Sequence, residues 1–169
     1  MSGPIVVLIG PPGAGKTTVG RKLAEQLTAP FVDTDALVVS RAGKPVADIF
    51  VDDGEMVFRR MEAQAVADAV ATDGAVVALG GGAITNADTR TLLASKPVVL
   101  LEVDPATAAK RVGMNGARPL LLGDARSRLV TLMRERAPWY AEVATYTVTT
   151  TDRPVEDVVA EIRAWCADD

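Results

Sequence analysis

Glycines, a lysine and two threonines stand together near the start of the chain. The segment Gly10–Thr18 reads GPPGAGKTT and fits the Walker A pattern G-x-x-x-x-G-K-[ST]. It follows the apolar run Ile5–Ile9 and precedes a helical stretch, which is the context that this motif requires. A loop with little side-chain bulk lets successive backbone N–H groups point at phosphate oxygens, and the following helix adds its positive end. This context favours a phosphate site over a plain glycine-rich turn.

The residue types inside the motif suggest separate tasks at a bound nucleotide. The Lys16 ammonium would hold the β- and γ-phosphates, and the Thr17 hydroxyl would ligate Mg²⁺. We therefore predict a nucleoside triphosphate site, with ATP as the expected nucleotide. The residues expected to contact its phosphates are Gly13, Ala14, Gly15, Lys16, Thr17 and Thr18.

A carboxylate is needed near the metal, and the sequence offers two. The segment Val76–Gly82 reads VVALGGG, so the strand that could end in a Walker B aspartate ends in glycines instead. The nearest alternative is FVDTD, in which Asp33 and Asp35 alternate and would share one face of an extended chain. We predict Asp33 as the acid beside the metal. The alternative is a helix cap, because Asp35 precedes the apolar stretch ALVV.

The composition limits the possible chemistry. The chain has 169 residues, no histidine and one cysteine, Cys166. Without imidazole, a metal must bind among oxygens, which favours magnesium over zinc. Proton transfer must then use a carboxylate, a lysine, a tyrosine or water. Cys166 lies in an apolar helical pattern and is expected to pack rather than react.

Charge and hydropathy exclude several partner classes. The net charge is −4 and no basic stretch is present, which argues against nucleic acid as a partner. The first residues lack a basic region and carry an apolar run of only five residues, so neither a signal peptide nor a membrane span is expected. With no disulfide to form, a cytoplasmic location is expected.

Short apolar runs alternate with longer helical patterns, which predicts a three-layer α/β sandwich around a parallel sheet. The five predicted strands are Ile5–Ile9, Phe31–Asp33, Val76–Leu79, Val98–Val103 and Thr145–Thr149. The predicted helices are Lys16–Leu27, Ala36–Arg41, Val46–Phe50, Gly54–Ala71, Ala87–Ala94, Ala106–Val112, Arg126–Glu142 and Val155–Ala167. Residues 113–124 contain few helix or strand formers and are predicted to form a mobile loop, and Pro138 is expected to strain its helix.

A second group of motifs suggests an acceptor pocket. Within GEMVFRRMEAQAV, Arg59 and Glu62 are three residues apart and can pair on one helix face, which alone would indicate only an exposed ion pair. Three further motifs accompany it, namely LGGGA at 79–83, NGARPLL at 115–121 and RAPWY at 136–140. Glycines at the carboxyl end of a strand let a small molecule approach the backbone closely.

These motifs together resemble the shikimate kinase family, small P-loop kinases of aromatic amino-acid biosynthesis. GPPGAGKTT, DTD, ADIF, GE…FRRME, LGGGA, RPLL and RAPWY occur in the family's order and at its spacings, over nearly the whole chain. The resemblance implies a P-loop NTPase fold with strand order 2-3-1-4-5, similar to nucleoside monophosphate kinases and with a mobile lid. It implies one domain, residues 1–169, with a substrate-binding segment at about 34–62 and the lid at about 113–124.

The resemblance also implies the activity and a role for each matching residue. The activity is ATP-dependent phosphorylation of the 3-hydroxyl of shikimate, with catalytic roles for Lys16, Asp35 and Arg118. Thr17 would ligate Mg²⁺ directly and Asp33 would order it through water, while Arg111 and Pro154 would enclose the adenine and Arg118 would also contact ATP. The residues implied to bind shikimate are Asp35, Phe50, Phe58, Arg59, Glu62, Gly80, Gly81, Gly82, Pro119, Leu120 and Arg136. Arg59 and Arg136 would bind its carboxylate, and Arg60 is the alternative to Arg59.

Two other functions remain as alternatives. Another small-molecule kinase, such as a gluconate kinase, would share the Walker A motif and the lid arginine but would not need two arginines for a carboxylate. A nucleotide switch or regulatory protein is the alternative from a different class. A GTP switch should carry the guanine motif Asn-Lys-x-Asp, and the sequence contains none. We expect a monomer that binds ATP and shikimate.

Overall fold

A five-stranded parallel sheet forms the centre of the molecule. A computed structural model of the chain describes residues 3–114 and 122–168. The strands are β1 (Val6–Ile9), β2 (Phe31–Asp33), β3 (Val76–Ala78), β4 (Val98–Glu102) and β5 (Tyr146–Thr149). They pair in the order β2-β3-β1-β4-β5, and every pair is parallel. The predicted fold class and strand order are therefore confirmed.

Helices connect the strands and cover both faces of the sheet. They are α1 (Lys16–Leu27), α2 (Thr34–Ala42), α3 (Val46–Asp53), α4 (Glu55–Val70), α5 (Ala87–Leu93), α6 (Pro105–Met114), α7 (Leu122–Val143) and α8 (Val155–Ala167). A short 3-10 helix, Ala83–Thr85, precedes α5. None of these described helices has the length and apolar composition needed to cross a membrane.

The alternation of side chains along β1 explains the three layers. Val6 and Leu8 belong to one buried cluster with residues of α1 and α8, whereas Val7 and Ile9 belong to a second cluster on the opposite face with α4 and α7. All four side chains of β1 are buried, as expected for a strand in the middle of a parallel sheet. Cys166 packs at the margin of the first cluster, in agreement with the prediction.

A third, smaller cluster lies within the segment predicted to bind the substrate. Val38 of α2, Ile49 of α3 and Phe58 and Ala65 of α4 are buried against one another. These three helices therefore hold their own apolar contacts, apart from the two clusters that flank the sheet. They set the positions of the polar side chains that α2 and α4 present.

Some predicted boundaries differ from the structure. Helix α2 starts at Thr34 rather than Ala36, because the Asp33 side chain accepts hydrogen bonds from the N–H groups of Asp35 and Ala36. Helices α6 and α7 extend into the predicted loop 113–124 from both ends, and residues 115–121 lie outside the described residues. Helix α7 continues through Pro138, as predicted, and the burial of Tyr140 and Val143 in the second cluster holds its last turn.

Candidate active site

The carboxyl ends of β1, β2 and β3 meet at one edge of the sheet, where they bring three predicted motifs together. The phosphate loop follows β1, Asp33 ends β2, and Gly80–Gly82 follow β3. Ligands bind at this edge in parallel α/β sheets, at the point where the strand order reverses. A cavity of about 470 Å³ opens here. It is lined by Pro12, Gly13, Gly15, Lys16, Thr17, Thr18, Asp33, Asp35, Leu79, Gly80, Gly81 and Arg111.

The phosphate loop has the geometry of an anion cradle. Gly13 and Gly15 have φ of 83° and 94°, in the left-handed region that favours glycine. A Cβ atom at Gly13 would lie 2.6 Å from the carbonyl oxygen of Ala108, so α6 packs directly on the loop. Gly15 is the N-cap of α1 and supplies no side-chain hydrogen bond, which leaves first-turn N–H groups without a capping side chain. This end of α1 can therefore bind an anion.

Lys16 lies part-buried at the centre of the site. Its Nζ donates hydrogen bonds to the carbonyl oxygens of Gly10, at 2.6 Å, and Pro11, at 3.1 Å. Burial lowers the pKa of Lys16 to about 8, although the neighbouring carboxylates of Asp35 and Asp33 oppose that shift. The amine is thus poised to become fully charged when a polyphosphate enters.

Asp33 performs two tasks with its two carboxylate oxygens. Oδ1 accepts from the N–H groups of Asp35 and Ala36 and caps α2, while Oδ2 accepts a 2.8 Å hydrogen bond from the Thr17 hydroxyl. The cap is therefore Asp33 and not Asp35. Asp35 lies in the first turn of α2, so the expectation that both acids share a face of an extended chain is wrong. The cap turns the chain into a helix directly after Asp33.

The pair formed by Thr17 and Asp33 supplies a hydroxyl and a carboxylate oxygen side by side. Mg²⁺ prefers oxygen ligands and usually keeps several waters and substrate phosphates, so it needs only one or two protein groups. The hydroxyl of Thr17 and the carboxylate of Asp33 therefore fit a magnesium ion that is also bound by a nucleotide. No group of three or more acidic, histidine or cysteine side chains that could hold a metal ion occurs among the described residues.

The glycine triplet Gly80–Gly82 is in close contact with the side chains of the predicted acceptor pocket. A Cβ atom at Gly80 would overlap Oδ1 of Asp35, and a Cβ atom at Gly82 would lie 2.5 Å from Nη1 of Arg59. At Gly81 it would lie 3.1 Å from Cδ of Pro12 in the phosphate loop. Side chains are therefore excluded at Gly80 and Gly82 if Asp35 and Arg59 are to keep their places, and a side chain at Gly81 would require Pro12 to shift by a few tenths of an ångström.

Asp35 projects into the space between the phosphate loop and the glycine triplet. Burial raises the pKa of its carboxyl group, and the Asp33 carboxylate adds to this effect, while Lys16 and Arg59 oppose it. Its backbone is fixed from both sides, since Asp33 caps the helix and Thr34 accepts a 3.0 Å hydrogen bond from the Gly80 N–H. Asp35 can accept a hydrogen bond or a proton from a hydroxyl bound here.

Arg59 enters the site and Arg60 does not. Nη1 of Arg59 donates a 2.7 Å hydrogen bond to Oε1 of Glu62, whose side chain is almost fully buried, whereas Arg60 is exposed. Burial raises the pKa of Glu62, and the bond to Arg59 opposes that shift. Next to this pair, Phe58 is buried and packs against the half-exposed Phe50, with ring centroids 4.9 Å apart. The structure thus places these four predicted residues together.

Arg136 approaches the glycine triplet from α7. Its Nη1 donates a 3.1 Å hydrogen bond to the Gly81 carbonyl, and the buried Tyr140 donates a 3.0 Å hydrogen bond to the same oxygen. Arg59 contacts Gly82 and Arg136 contacts Gly81, so the two guanidinium groups flank one short loop. A planar carboxylate matches the planar, bidentate donors of such a pair of guanidinium groups.

Arg111 joins the phosphate loop to the end of β5. It donates to the Gly13 carbonyl at 3.0 Å and to the carbonyl and hydroxyl of Thr150, at 3.0 and 3.2 Å. Pro154 lies just beyond, exposed at the N-cap of α8. The role of these two residues at the adenine remains a prediction, and Arg118, Pro119 and Leu120 lie outside the described residues.

Three residues of the site were not predicted from the sequence. The hydroxyl of Thr150 is buried and donates to the Ala14 carbonyl, which ties the phosphate loop to β5. Thr34 and Tyr140 hold the glycine triplet from opposite sides. Tyr140 follows Arg136 by four residues, so helical spacing could have placed it on the same face, whereas no local pattern distinguishes Thr34 or Thr150.

Comparisons with known proteins agree with this geometry. A family described as Shikimate kinase matches residues 12–167. A shikimate kinase of Thermobifida fusca is 58% identical and covers 92% of this chain and 91% of its own. One from Saccharopolyspora erythraea is 51% identical, over 94% and 95% of the two chains.

Solved structures are similar over almost the whole chain. The shikimate kinase of Acinetobacter baumannii in complex with shikimate has a TM-score of 0.91 and 35% identity, over 99% of this chain and 94% of that one. A gluconokinase from Sinorhizobium meliloti has a TM-score of 0.60 at 20% identity, which indicates a shared fold only. The family match, the relatives and the site agree: the chain belongs to the shikimate kinase family.

Proposed function

We propose that the chain transfers the γ-phosphoryl group of ATP to the 3-hydroxyl of shikimate, giving shikimate 3-phosphate and ADP. As a member of its family it is an ATP-dependent kinase of the shikimate pathway, which leads to chorismate and the aromatic amino acids. One observation carries the assignment of the site. A phosphate loop and a pair of arginines face each other across Gly80–Gly82, with Asp35 between them.

This arrangement suits phosphoryl transfer, which depends on positioning and on positive charge rather than on covalent catalysis. We assign the phosphates to the loop and to Lys16, and the shikimate carboxylate to Arg59 and Arg136. The 3-hydroxyl would then lie at Asp35, which orients it and takes its proton as the bond to phosphorus forms. Glu62 would orient Arg59, and Phe50 and Phe58 would shape the pocket beside it.

We assign Mg²⁺ to the position beside Thr17 and Asp33. Bound there, the ion would neutralise charge on the β- and γ-phosphates. The Thr17 hydroxyl would ligate it directly and the Asp33 carboxylate would order it through water. The short hydrogen bond between Thr17 and Asp33 supports this assignment, because it already aligns both oxygens.

Asp33→Asn should raise the Mg²⁺ concentration needed for half-maximal activity and leave the thermal midpoint nearly unchanged. Asparagine caps a helix about as well as aspartate, so the cap is kept while the negative charge and the acceptor for the Thr17 hydroxyl are lost. Asp33→Ala should raise the Mg²⁺ requirement and also lower stability, by about 1 kcal/mol for the lost cap. Magnesium titrations of activity, combined with thermal melts, separate the two roles. An unchanged Mg²⁺ requirement in both variants would remove Asp33 from the metal site.

ATP binding at pH 8 should take up protons. The folded pKa of Lys16 is lowered to about 8, so roughly half of the free protein carries an uncharged Lys16 at this pH, and bound phosphates favour the charged form. ATP affinity should accordingly fall as the pH rises above 8. Titration calorimetry in two buffers of different ionisation enthalpy measures the uptake. Lys16→Arg, which stays charged, should abolish it, and equal uptake in both proteins would contradict the assignment.

We further propose that residues 113–124 act as a lid over the bound nucleotide and that the chain forms a single domain. Arg118 would bring a positive charge to the transferring phosphoryl group, and Pro119 and Leu120 would close over the acceptor. A closed lid would exclude water, which otherwise competes as the acceptor. Arg111 and Pro154 would enclose the adenine. We place the protein in the cytoplasm, since its single cysteine needs no oxidising compartment. We also propose that it is a monomer.

A coupled assay of ADP formation with a panel of acceptors tests the proposed reaction. The panel contains shikimate, quinate, gluconate and nucleoside monophosphates, each at the same concentration, and a reaction without added acceptor, in which water alone can accept the phosphoryl group. We expect ADP release at a high rate with shikimate alone. Preference for gluconate would favour the other kinase, whose fold is similar, and ATP binding without turnover on any acceptor would favour a regulatory protein.

A further inference from the structure

The Gly81 carbonyl accepts two hydrogen bonds from side chains of the same helix. Arg136 donates at 3.1 Å and Tyr140 at 3.0 Å, and the two residues are one helical turn apart on α7. A carbonyl oxygen has two lone pairs, so both bonds can exist together. Tyr140 is 4% exposed and belongs to the second buried cluster. Its ring is therefore held in place by packing, and its hydroxyl is aimed at a fixed point of the loop.

The Tyr140 hydroxyl is a donor over the whole working range of pH. Burial raises its pKa to about 12, although the nearby Arg136 opposes that shift. It has no role in the proton transfer assigned to Asp35. The hydroxyl donates to the Gly81 carbonyl and lies beside Arg136, so any contribution to the reaction must act through that peptide or through Arg136.

Once an acceptor carboxylate is bound, Arg136 has two possible hydrogen-bond acceptors, the carboxylate and the Gly81 carbonyl. When a carboxylate enters the site, Arg136 must turn some of its N–H groups towards it. Without another donor, the part-buried Gly81 carbonyl would lose its partner as Arg136 turned, and an unpaired carbonyl away from water is costly. With Tyr140 in place, the carbonyl stays bonded and Arg136 is free to bind the acceptor. The peptide plane also stays fixed, and with it the direction of the Gly82 N–H.

We propose that Tyr140 is a positioning residue for acceptor binding, which holds the Gly81 carbonyl so that Arg136 can engage the acceptor carboxylate. The inference rests on the proposed function, since it takes the acceptor to be shikimate. Tyr140→Phe removes one oxygen atom and keeps the packed ring. The KM for shikimate should rise about three- to tenfold, the effect of one neutral hydrogen bond, with the KM for ATP unchanged.

Tyr146→Phe is the matched control. The Tyr146 hydroxyl donates a 2.8 Å hydrogen bond to Glu161, and its ring stacks on Trp165, away from the glycine triplet. Both variants lose one hydroxyl hydrogen bond, so both should lose similar thermal stability. Only Tyr140→Phe should change the KM for shikimate.

Steady-state kinetics and thermal melts of the wild type and three variants decide the question. Arg136→Ala serves as the reference for a lost acceptor contact. If Arg136→Ala raises the KM for shikimate and Tyr140→Phe does not, the inference is overturned and the proposed function stands. An equal rise of the KM for shikimate in Tyr140→Phe and Tyr146→Phe would indicate a general loss of stability. That result would also overturn the inference. A wild-type protein that does not phosphorylate shikimate would overturn the proposed function and the inference together.

Discussion

Replacing Asp35 with asparagine should lower kcat for shikimate phosphorylation by about 100-fold or more, the usual contribution of a positioned proton acceptor. Asparagine is close to the same size, so the packing against Gly80 is kept. It accepts a hydrogen bond poorly at the atom that becomes NH₂, and it cannot take the proton of the attacking hydroxyl. ATP binding should change little. Single-turnover kinetics, with separate ATP titrations, measure the two effects.

Asp88→Asn is a matched control for this substitution. Asp88 is also the second residue of its helix, α5, which is capped by Asn86, and its exposed side chain does not line the cavity. Asp88→Asn should leave kcat unchanged.

The pH dependence of the reaction gives a second check on Asp35. Burial raises its pKa in the free protein, and the base must be ionised, so kcat/KM should fall as the pH falls through that raised pKa. A near-normal rate in Asp35→Asn would remove Asp35 from the chemistry.

The sequence predicted the sheet and the phosphate loop because their signals are local. A buried parallel strand is a short apolar run, and a run such as Ile5–Ile9 can be recognised without its partners. The Walker A motif contains the glycines of the turn, the lysine and the start of the helix within nine residues. The spacing of these residues in the sequence is fixed, so the motif can be recognised without the rest of the fold. Strand order is not local, and it came from the family resemblance.

The site was predicted less completely, because side-chain direction depends on caps and on distant contacts. Asp33 and Asp35 were expected to share a face, and the cap at Asp33 separates them by starting α2. The sequence also left Arg59 and Arg60 as alternatives. In the structure, Arg59 pairs with the buried Glu62, and Arg60 is exposed. Arg59 is therefore the arginine that faces the site.

Contacts between elements far apart in the chain were not predictable from local patterns. Thr34 and Gly80 are 46 residues apart, and Tyr140 and Gly81 are 59 apart. Each contact exists because β2, β3 and α7 converge at the same edge of the sheet. The hydroxyls of Thr34 and Tyr140 became identifiable only once the sheet order had brought those elements together.

Removing Arg59 or Arg136 should raise the KM for shikimate by about 30-fold or more, with the KM for ATP nearly unchanged. Each guanidinium lies against the glycine triplet on the acceptor side, and neither forms part of the phosphate loop. Losing one partner of a charge-assisted pair with the carboxylate leaves the other without compensation, which costs about 2–5 kcal/mol. Steady-state kinetics with each substrate varied in turn measure the two KM values.

The two variants differ in their expected stability, which makes the pair informative. Arg59→Ala also leaves the buried Glu62 without its partner, so it should lower the thermal midpoint, whereas no ion pair of Arg136 occurs among the described residues. Arg60→Ala is the matched control, because Arg60 is exposed next to Arg59 on the same helix. It should change neither KM. An unaltered KM for shikimate in both Arg59→Ala and Arg136→Ala would place the acceptor carboxylate elsewhere. A folding defect could only weaken acceptor binding, so it could not hide the loss of either contact.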